Sequence, residues 1–211
     1  PGIEVLNTAD SLLVSVRRRT LPKQAMDVVK RFVASGKPVI GIRTASHAFS
    51  LRNARAAEGF DDWPEFDWEV LGGHYTNHYG NKLVASAYRA MFVSHPILNG
   101  IKKRPFRTGG SLYMTSPLAK GTTPLLFGSV DGQPAEPLAW TYLRDDGGRS
   151  FYTSLGHVDD FRNEQFIRLL VQGIYWANGI AVTERVFQKK GRYWATTHVP
   201  DIASKETVWY R

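Results

Sequence analysis

The pattern that most constrains the fold is a strand-like run, a helix-like run and a second strand-like run near the start of the chain. The first run, SLLVSV at residues 11–16, is short, apolar and rich in residues that favour strands. Thr20 predicts a helix N-cap, with Pro22 in the first turn, where its missing N–H costs nothing. The second strand-like run is PVIGI at residues 38–42. A strand–helix–strand unit predicts parallel strands with helices packed on the sheet faces.

The rest of the chain adds further strands and one long helix. The strand-like runs lie at residues 82–88, 124–130, 137–143 and 149–155. The DDGG sequence at 145–148 predicts a hairpin turn, because glycine accepts the positive φ that such turns need. A final helix is predicted to start near Asn163 and to end before Gly179.

These elements indicate one α/β domain over residues 1–180, followed by a C-terminal extension over residues 181–211. The extension is polar and aromatic without a helical period. We therefore expect it to pack on the domain or on a partner, and a homo-oligomer is one such arrangement. The opening residues already have the pattern of a domain interior, which predicts that a first strand lies upstream of Pro1.

Residue usage and charge narrow the classes of function. None of the 211 residues is cysteine, which excludes a disulfide framework, a thiolate metal site and a cysteine nucleophile. The net charge of +8 comes from small clusters such as Arg17 to Arg19, without the aromatic interleaving of a single-strand binder, so no nucleic-acid partner is expected. No apolar run approaches the roughly 20 residues that span a bilayer, so no membrane partner is expected. A cysteine-free chain is compatible with the cytoplasm, the periplasm and secretion.

The first cluster of candidate site residues follows the strand at residues 38–42. Ligands bind outside the carboxyl ends of the strands in an open parallel sheet, and this strand ends in Arg43, Ser46 and His47. Arg43 is predicted either to bind the ligand directly or to form a buried ion pair with Asp67 or Glu69. His47 has a functional and a structural interpretation, which the sequence does not separate.

The second cluster follows the strand at residues 149–155, where His157 is succeeded by Asp159 and Asp160. An adjacent carboxylate fixes the tautomer of a histidine and raises its basicity, so His157 is a candidate acid or base. Ser46, His157 and one of these aspartates would also suit a hydrolase triad. However, RTASH is not the G-x-S-x-G elbow, which makes the triad a weak prediction.

An aromatic loop at residues 63–81 lies between these clusters and is dense in Trp, Tyr, His and paired Gly. Flat aromatic faces pack against the C–H surface of a sugar, while polar groups bind its hydroxyls, so we expect a carbohydrate ligand. Within the loop His78 is expected to be functional and His74 to have a structural or rim role. His95 precedes a proline and is expected to bond to backbone in a turn, and His198 is expected to be incidental.

Five segments, taken in order, resemble the ThuA-like (trehalose utilisation) domain family from about residue 8 to residue 180. The segments are GKPVIGIRTASHAF (36–49), DWPEFDWEVLGGHYTNHYG (62–80), HPILNGI (95–101), EPLAWTY (136–142) and GRSFYTSLGHVDDF with FIRLLVQGIYWANG (148–161, 166–179). The resemblance implies a class I glutamine amidotransferase-like fold, a flavodoxin-like three-layer sandwich with a mainly parallel sheet. It also implies a link to carbohydrate metabolism.

The resemblance also implies what this chain has lost. Amidotransferases carry Gly-x-Cys where this chain has Gly41 to Arg43, and His-Pro-Glu where it has His157 to Asp159. With arginine at the nucleophile position, glutaminase chemistry through a thioester is excluded. Family members commonly have His and Asp at the positions of Arg43 and His47, and Asp-Glu-x-Tyr where this chain has GGSLYM (109–114). These departures weaken the case for the family metal site, and no metal is assigned; the alternative is a three-nitrogen site of His47, His78 and His157 for Zn²⁺ or another divalent metal.

We therefore predict a carbohydrate-processing enzyme of trehalose or keto-sugar utilisation, a hydrolase, lyase or isomerase. His157 with Asp159 or Asp160 would be the acid or base, Arg43 would stabilise an oxyanion or enolate, and His47 would assist. The residues expected to bind the sugar are His78, Tyr75, Asn77, Ser46 and Tyr113. The alternative is a non-catalytic sugar-binding or assembly module that kept the fold and lost the chemistry.

Overall fold

A computed structural model describes residues 2–81 and 83–182, together with the backbone of residues 188–190 and 193–195. In chain order the strands are β1 (Leu12–Val14), β2 (Leu21–Pro22), β3 (Val39–Ile42), β4 (Phe60–Asp61), β5 (Asn77–His78), β6 (Ser86–Arg89), β7 (Phe106–Arg107), β8 (Tyr113–Met114), β9 (Thr122–Ser129), β10 (Glu136–Leu143), β11 (Arg149–Thr153), β12 (Gln188–Lys190) and β13 (Tyr193–Ala195). The helices are α1 (Lys23–Ala34) and α2 (Glu164–Ala177), with short 3-10 helices at Ile3–Asn7, Arg43–His47, Pro96–Leu98 and Asp160–Arg162 and a π-helix at Asp67–Leu71.

Seven strands form the main sheet in the order β1-β3-β11-β10-β9-β6-β7. The pairs β1–β3 and β3–β11 are parallel, whereas the other neighbouring pairs in this sheet are antiparallel. The predicted mixture of helices and strands is confirmed, but the mainly parallel sheet occurs only at the β1 end. The reason is that β9, β10 and β11 follow one another through short turns, which join antiparallel strands without a crossover helix.

The turn between β10 and β11 is the hairpin predicted at 145–148. Gly147 has φ +81°, and the backbone N–H of Gly148 donates to the Asp146 carboxylate at 2.7 Å. The buried Arg144 side chain holds the turn in place: its Nε donates to Asp146 at 3.0 Å, and its Nη2 donates to the carbonyl of Lys37 at 2.8 Å. These bonds fix the start of β11 next to the start of β3.

The core lies on both faces of the parallel end of the sheet. Val39 packs with Met26 and Val29 of α1, whereas the next residue, Ile40, packs with Phe151 and with α2. This alternation is what a strand buried on both faces requires, since successive side chains point to opposite sides. One helix thus covers each face, and both faces of β3 are fully buried.

Helix α1 begins later than the sequence predicted. Pro22 rather than Thr20 is its N-cap, because Leu21–Pro22 first pairs with Phe60–Asp61 as a short antiparallel strand. Helix α2 agrees with the prediction: the side chain of its N-cap, Asn163, accepts a hydrogen bond from the Gln165 N–H at 3.0 Å.

The region after α2 is described only in part. Strands β12 and β13 pair in antiparallel orientation. The C-terminal extension was predicted over residues 181–211, and apart from these strands its residues from 183 onward, including His198, lie outside the described residues. The first strand predicted upstream of Pro1 stays a prediction. Among the described helices none is long and apolar enough to cross a membrane.

Candidate functional site

Arg43 lies at a strained turn between β3 and the 3-10 helix that follows it. Its φ is +46°, a left-handed conformation that an ordinary L-residue adopts at a cost of about 1 kcal/mol or more and that persists only where the surroundings hold it. The buried Tyr152 of β11 donates its hydroxyl to the Arg43 carbonyl at 2.7 Å, and the Ser46 hydroxyl donates to the same oxygen at 3.2 Å. The turn is therefore fixed by the neighbouring strand and by its own helix.

The Arg43 guanidinium is held between two elements without a carboxylate. Its Nη1 donates to the Ser154 carbonyl at 3.0 Å, and its Cζ lies 4.9 Å from the ring centre of Tyr113. Gly110 allows this placement, since a Cβ there would lie 2.6 Å from Arg43 Nη2. Within the described part of the chain, Arg43 forms no ion pair, so no carboxylate neutralises its positive charge.

The ion pair of Arg43 with Asp67 or Glu69 that the sequence allowed does not form. The buried Asp67 instead lies 3.0 Å from Nδ1 of His74 and accepts the Tyr75 N–H at 3.0 Å. Burial raises the pKa of Asp67, and these bonds oppose that rise only in part. Glu69 accepts from the indole N–H of Trp63 at 2.8 Å. His74, half-exposed on this carboxylate, thus has the structural role expected of it.

His47 is buried and uncharged. Its side chain packs against Tyr75, with ring centres 4.4 Å apart, and Ser46 Oγ lies 3.4 Å from its Nδ1. Burial, and then the charges of Arg18 and three further arginines, lower its pKa from 6.5 to about 3. At neutral pH His47 is therefore a neutral donor and acceptor, and it does not supply a proton as an imidazolium.

Tyr75, His78 and Tyr113 form an aromatic group beside His47. The Tyr75 hydroxyl lies 2.8 Å from His78 Nδ1, and His78 is paired with Tyr113 in the β5–β8 ladder. Asn77 precedes His78 in the same strand, is exposed, and accepts the His78 N–H with its own side chain at 2.9 Å. Because neighbouring strand residues point to opposite faces, Asn77 does not join the group predicted from the sequence.

His157 lies in the turn after β11 with two aspartates in different roles. Asp159 is half-exposed, and its carboxylate is 3.4 Å from His157 Nδ1 and 3.3 Å from Arg162 Nη1. Asp160 is buried, and it accepts three backbone N–H groups, those of Gly109, Gly156 and His157, at 2.6 to 2.9 Å. Of the two carboxylates that the sequence offered as partners, only Asp159 therefore contacts the imidazole.

The tautomer of His157 depends on which of two long contacts its Nδ1 makes. The Asp159 backbone N–H points to Nδ1 at 3.3 Å, and the Asp159 carboxylate lies at 3.4 Å. A nitrogen that accepts from the N–H leaves the proton on Nε2, whereas a nitrogen that donates to the carboxylate leaves Nε2 as a free base. Either tautomer presents Nε2 for proton transfer, as a donor in the first case and as an acceptor in the second.

The turn at Gly109 and Gly110 contacts both clusters. A Cβ on Gly109 would lie 3.1 Å from Nδ1 of His157, whereas one on Gly110 would meet Arg43. The glycine pair therefore lets the ends of β3 and β11 approach the same segment of chain. Sequence reasoning treated these glycines only as replacements for acidic residues, although their pairing was a signal of close approach.

The described residues do not fit a metal site. No group of three His, Cys, Asp or Glu side chains in the described part of the chain lies close enough to hold a metal ion. His47 and His78 both adjoin Tyr75, whereas His157 contacts Asp159, so within the described chain the three histidines considered for Zn²⁺ do not converge. The adjacent Arg43 guanidinium further disfavours a cation.

Two other predictions concern serine and histidine. The Ser46 hydroxyl contacts Arg43 and His47 rather than His157, so the hydrolase triad is not assembled. His95 accepts the Ile97 N–H at 3.2 Å and caps the short helix Pro96–Leu98. The expectation of a turn histidine bonded to backbone is therefore confirmed.

A groove of about 560 Å³ opens beside Asp159, next to the His157 turn. Its lining residues are Lys102, Arg104, Pro105, Phe106, Asp159, Arg162, Asn163, Glu164 and Gln165. A smaller void next to Arg43 holds no water-sized space, because the guanidinium and the turn at Gly110 fill it. The open volume near the site therefore lies on the side of Asp159.

Comparison with known proteins places this chain in a family. The family model for ThuA, described as trehalose utilisation, matches residues 3–177. A search of curated proteins finds no match. Among solved structures, a protein described as ThuA-like from Bacteroides uniformis has a TM-score of 0.63 at 17% identity, with 83% of this chain and 71% of that chain covered.

Two further structures have the same fold. One is a protein described as ThuA-like from Parabacteroides merdae, with a TM-score of 0.56 at 17% identity, covering 85% of this chain and 74% of that chain. The other is a cytoplasmic protein from Salmonella typhimurium, with a TM-score of 0.54 at 15% identity, covering 86% of this chain and 76% of that chain. At these identities the similarity concerns the fold alone.

Proposed function

The chain belongs to the ThuA trehalose-utilisation family, and from that premise we propose that it is an enzyme that processes oxidised (keto) sugars by acid–base chemistry. One observation carries the proposal. Arg43 and His157 follow adjacent parallel strands and adjoin the same Gly109–Gly110 turn, and Arg43 has no ion-pair partner in the described chain. An unpaired cation beside a histidine suits a reaction in which negative charge develops while a proton moves.

The substrate carbonyl would reach the half-buried Arg43 side chain from solvent, and not through the void next to it, which holds no water-sized space. A proton next to that carbonyl would pass to Nε2 of His157, and the negative charge left on oxygen would be stabilised by Arg43. The hydrogen bond from Arg43 Nη1 to the Ser154 carbonyl supports this role, because it holds the guanidinium before substrate arrives and so spares reorganisation during the reaction. Return of the proton to another carbon gives isomerisation, and loss of a neighbouring group gives elimination.

The neighbouring side chains would bind the sugar hydroxyls. His47 is neutral, and the rings of Tyr75, Tyr113 and His78 pack around it, so a sugar would meet this aromatic group at its edge. Aromatic faces and neutral polar groups are what a sugar needs along the part that does not react. We also propose an amidotransferase-like, flavodoxin-like architecture for the domain. In that architecture Arg43 occupies the position of the nucleophile, so glutamine hydrolysis through a thioester is outside this chemistry.

The proposal is tested by hydrogen exchange at the substrate. A 3-keto glucoside is incubated with the protein in D₂O, and ¹H NMR follows loss of the signals next to the carbonyl. We expect exchange to be accelerated and His157→Gln to reduce it by 10²- to 10⁴-fold, the usual contribution of an acid–base group. His74→Gln is the matched control, because that histidine bonds to Asp67, away from the Gly109–Gly110 turn. Equal rates in all three proteins would disprove the catalytic assignment.

A second candidate is a sugar-binding module without turnover. The observation in its favour is the loose His157–Asp159 contact, 3.4 Å long with the two side chains 39% and 54% exposed. A binding module needs no poised acid or base. It would bind the same glucoside in a calorimetric titration while hydrogen exchange stayed at the rate of the uncatalysed solution.

A further inference from the structure

Arginines from two further segments gather at the carboxyl end of the sheet, next to His47. Arg17 and Arg18 follow β1, which is the parallel neighbour of β3, so both strands deliver arginines to one edge. The backbone N–H of Arg18 donates to the His47 carbonyl at 3.0 Å, and Arg18 Nη1 donates to the Ser50 carbonyl at 2.9 Å. Arg52 follows Ser50 by two residues, which brings a third guanidinium to this region.

These arginines have no counter-charge in the described part of the chain. The ion pairs there include Arg144 with Asp146 and Arg162 with Asp159, whereas none involves Arg17, Arg18 or Arg52. A surface lined by one sign of charge concentrates ions of the opposite sign. A bound anion would also relieve the mutual repulsion of the cluster.

Two other observations point the same way. The positive charges of Arg18, Arg17, Arg52 and Arg43 all lower the pKa of His47, with burial the larger cause, in keeping with the hydrogen bond from the Arg18 backbone to the His47 carbonyl. Arg18 and Arg52 also have positive φ, +49° and +62°, as Arg43 does. Backbone held in this region of conformational space is common at ligand clamps, where the surroundings maintain it.

We propose that Arg17, Arg18 and Arg52 form an anion subsite beside His47, and that the substrate is a sugar derivative carrying a carboxylate or a phosphate. This inference rests on the proposed function, since it assigns two different negative charges of the substrate to Arg43 and to the arginine cluster. Arg43 meets the charge that develops at the carbonyl, and the three arginines hold the charge that the substrate carries permanently. Guanidinium groups suit both anions, because their planar N–H fork matches carboxylate and phosphate oxygens in pairs.

The groove beside Asp159 is a weaker site for the same anion. Its cations Lys102, Arg104 and Arg162 are accompanied by Asp159 and Glu164, and Arg162 is already paired with Asp159. Arg17 and Arg52 are exposed as well, so an anion can reach them from solvent, and neither is paired with a carboxylate in the described chain. The balance of charge therefore favours the arginine cluster.

The test compares three sugars that share one pyranose ring and differ at C6, and it uses three forms of the protein. Glucose, glucuronate and glucose 6-phosphate are titrated by calorimetry into the wild-type chain, into Arg17→Gln with Arg52→Gln, and into Arg31→Gln with Lys120→Gln. The last pair removes two exposed positive charges elsewhere and is the matched control. All four replaced side chains are exposed, so the variants are expected to fold.

We expect the wild type to bind at least one of the two anionic sugars tenfold or more tightly than glucose, with added salt weakening only the anions. Arg17→Gln with Arg52→Gln should abolish this preference and leave glucose affinity unchanged, while the control pair keeps it. The tighter of the two anions identifies carboxylate or phosphate as the preferred group. A wild type without preference, or an equal loss in both double variants, would refute the subsite.

The two proposals fail separately in these experiments. If hydrogen exchange is unaffected by His157→Gln while the anion preference is lost on replacing Arg17 and Arg52, the subsite stands and the catalytic assignment is wrong. If exchange depends on His157 but the wild type does not distinguish anionic from neutral sugars, the reverse holds.

Discussion

The buried, neutral His47 predicts a specific loss of stability in acid. Its folded-state pKa of about 3 lies below the ordinary value of 6.5, so between these limits the unfolded chain binds a proton that the folded chain does not. The stability this group contributes is therefore complete above pH 6.5 and declines as the pH falls toward 3. At pH 5, about 1.5 units below the unfolded value, the loss is about 2 kcal/mol of unfolding free energy.

The assay is urea unfolding followed by tryptophan fluorescence, at several pH values from 8 to 5, for the wild type and for His47→Asn. Asparagine keeps a neutral polar group but does not titrate. The variant will be less stable at pH 8, because it loses the ring contact with Tyr75. The decisive quantity is the difference between the two pH profiles, since other titrating groups such as His95, whose pKa burial also lowers, act in both proteins.

We expect the wild type to lose about 2 kcal/mol more than the variant between pH 8 and pH 5. Parallel profiles would refute the reasoning, because they would mean that folded His47 takes up its proton as readily as the unfolded chain. A profile that is steeper for the variant would have the wrong sign altogether.

Two further substitutions test how the site is held. Tyr152→Phe removes the hydroxyl that donates to the Arg43 carbonyl. It should lower the free energy of unfolding by about 1 kcal/mol and reduce kcat more than it raises KM. An unchanged kcat would mean that the turn at Arg43 keeps its conformation without this hydrogen bond. Asp160→Asn weakens the acceptor of three backbone N–H groups. It should lower the free energy of unfolding, measured by thermal unfolding, by about 2 kcal/mol and reduce the turnover that depends on His157. Asp159→Asn is the control and should leave the stability nearly unchanged, because Asp159 does not accept these backbone bonds. A stable Asp160→Asn protein would contradict the anchoring role given to that carboxylate.

The proximity of Arg43 to the His157 turn could be inferred from the sequence because it depends on one rule. Parallel neighbouring strands end at the same edge of a sheet, so the residues after the strands at 38–42 and 149–155 were expected near one another. The same rule applies to Arg17, which follows the strand at 11–16, but in the sequence Arg17 to Arg19 stood out only as one of the small clusters behind the net charge of +8. The sheet order, with β1 beside β3, places Arg17 at the same edge of the sheet as Arg43.

Other features of the site depend on burial, which the sequence does not give. Asp159 and Asp160 are adjacent and chemically identical, yet one faces solvent beside the imidazole and the other is buried among backbone N–H groups. Asp67 was offered as a partner for Arg43, and its carboxylate is instead occupied by His74 and the Tyr75 N–H. In each case the sequence identified a carboxylate that forms hydrogen bonds or an ion pair. It did not identify the partner of that carboxylate, because the partner depends on which atoms are buried together.

Arginine at the turn after β3 changes what the fold can do. A nucleophile at such a turn acts by forming a bond, and its neighbours are arranged to accept the proton it releases. A guanidinium cannot do this, but it remains charged at any physiological pH and is most effective where water is excluded. The Gly109–Gly110 turn leaves room for the guanidinium, and His47 nearby is uncharged. In the proposed function this turn would therefore hold negative charge on a carbonyl oxygen, and the proton transfer would fall to His157.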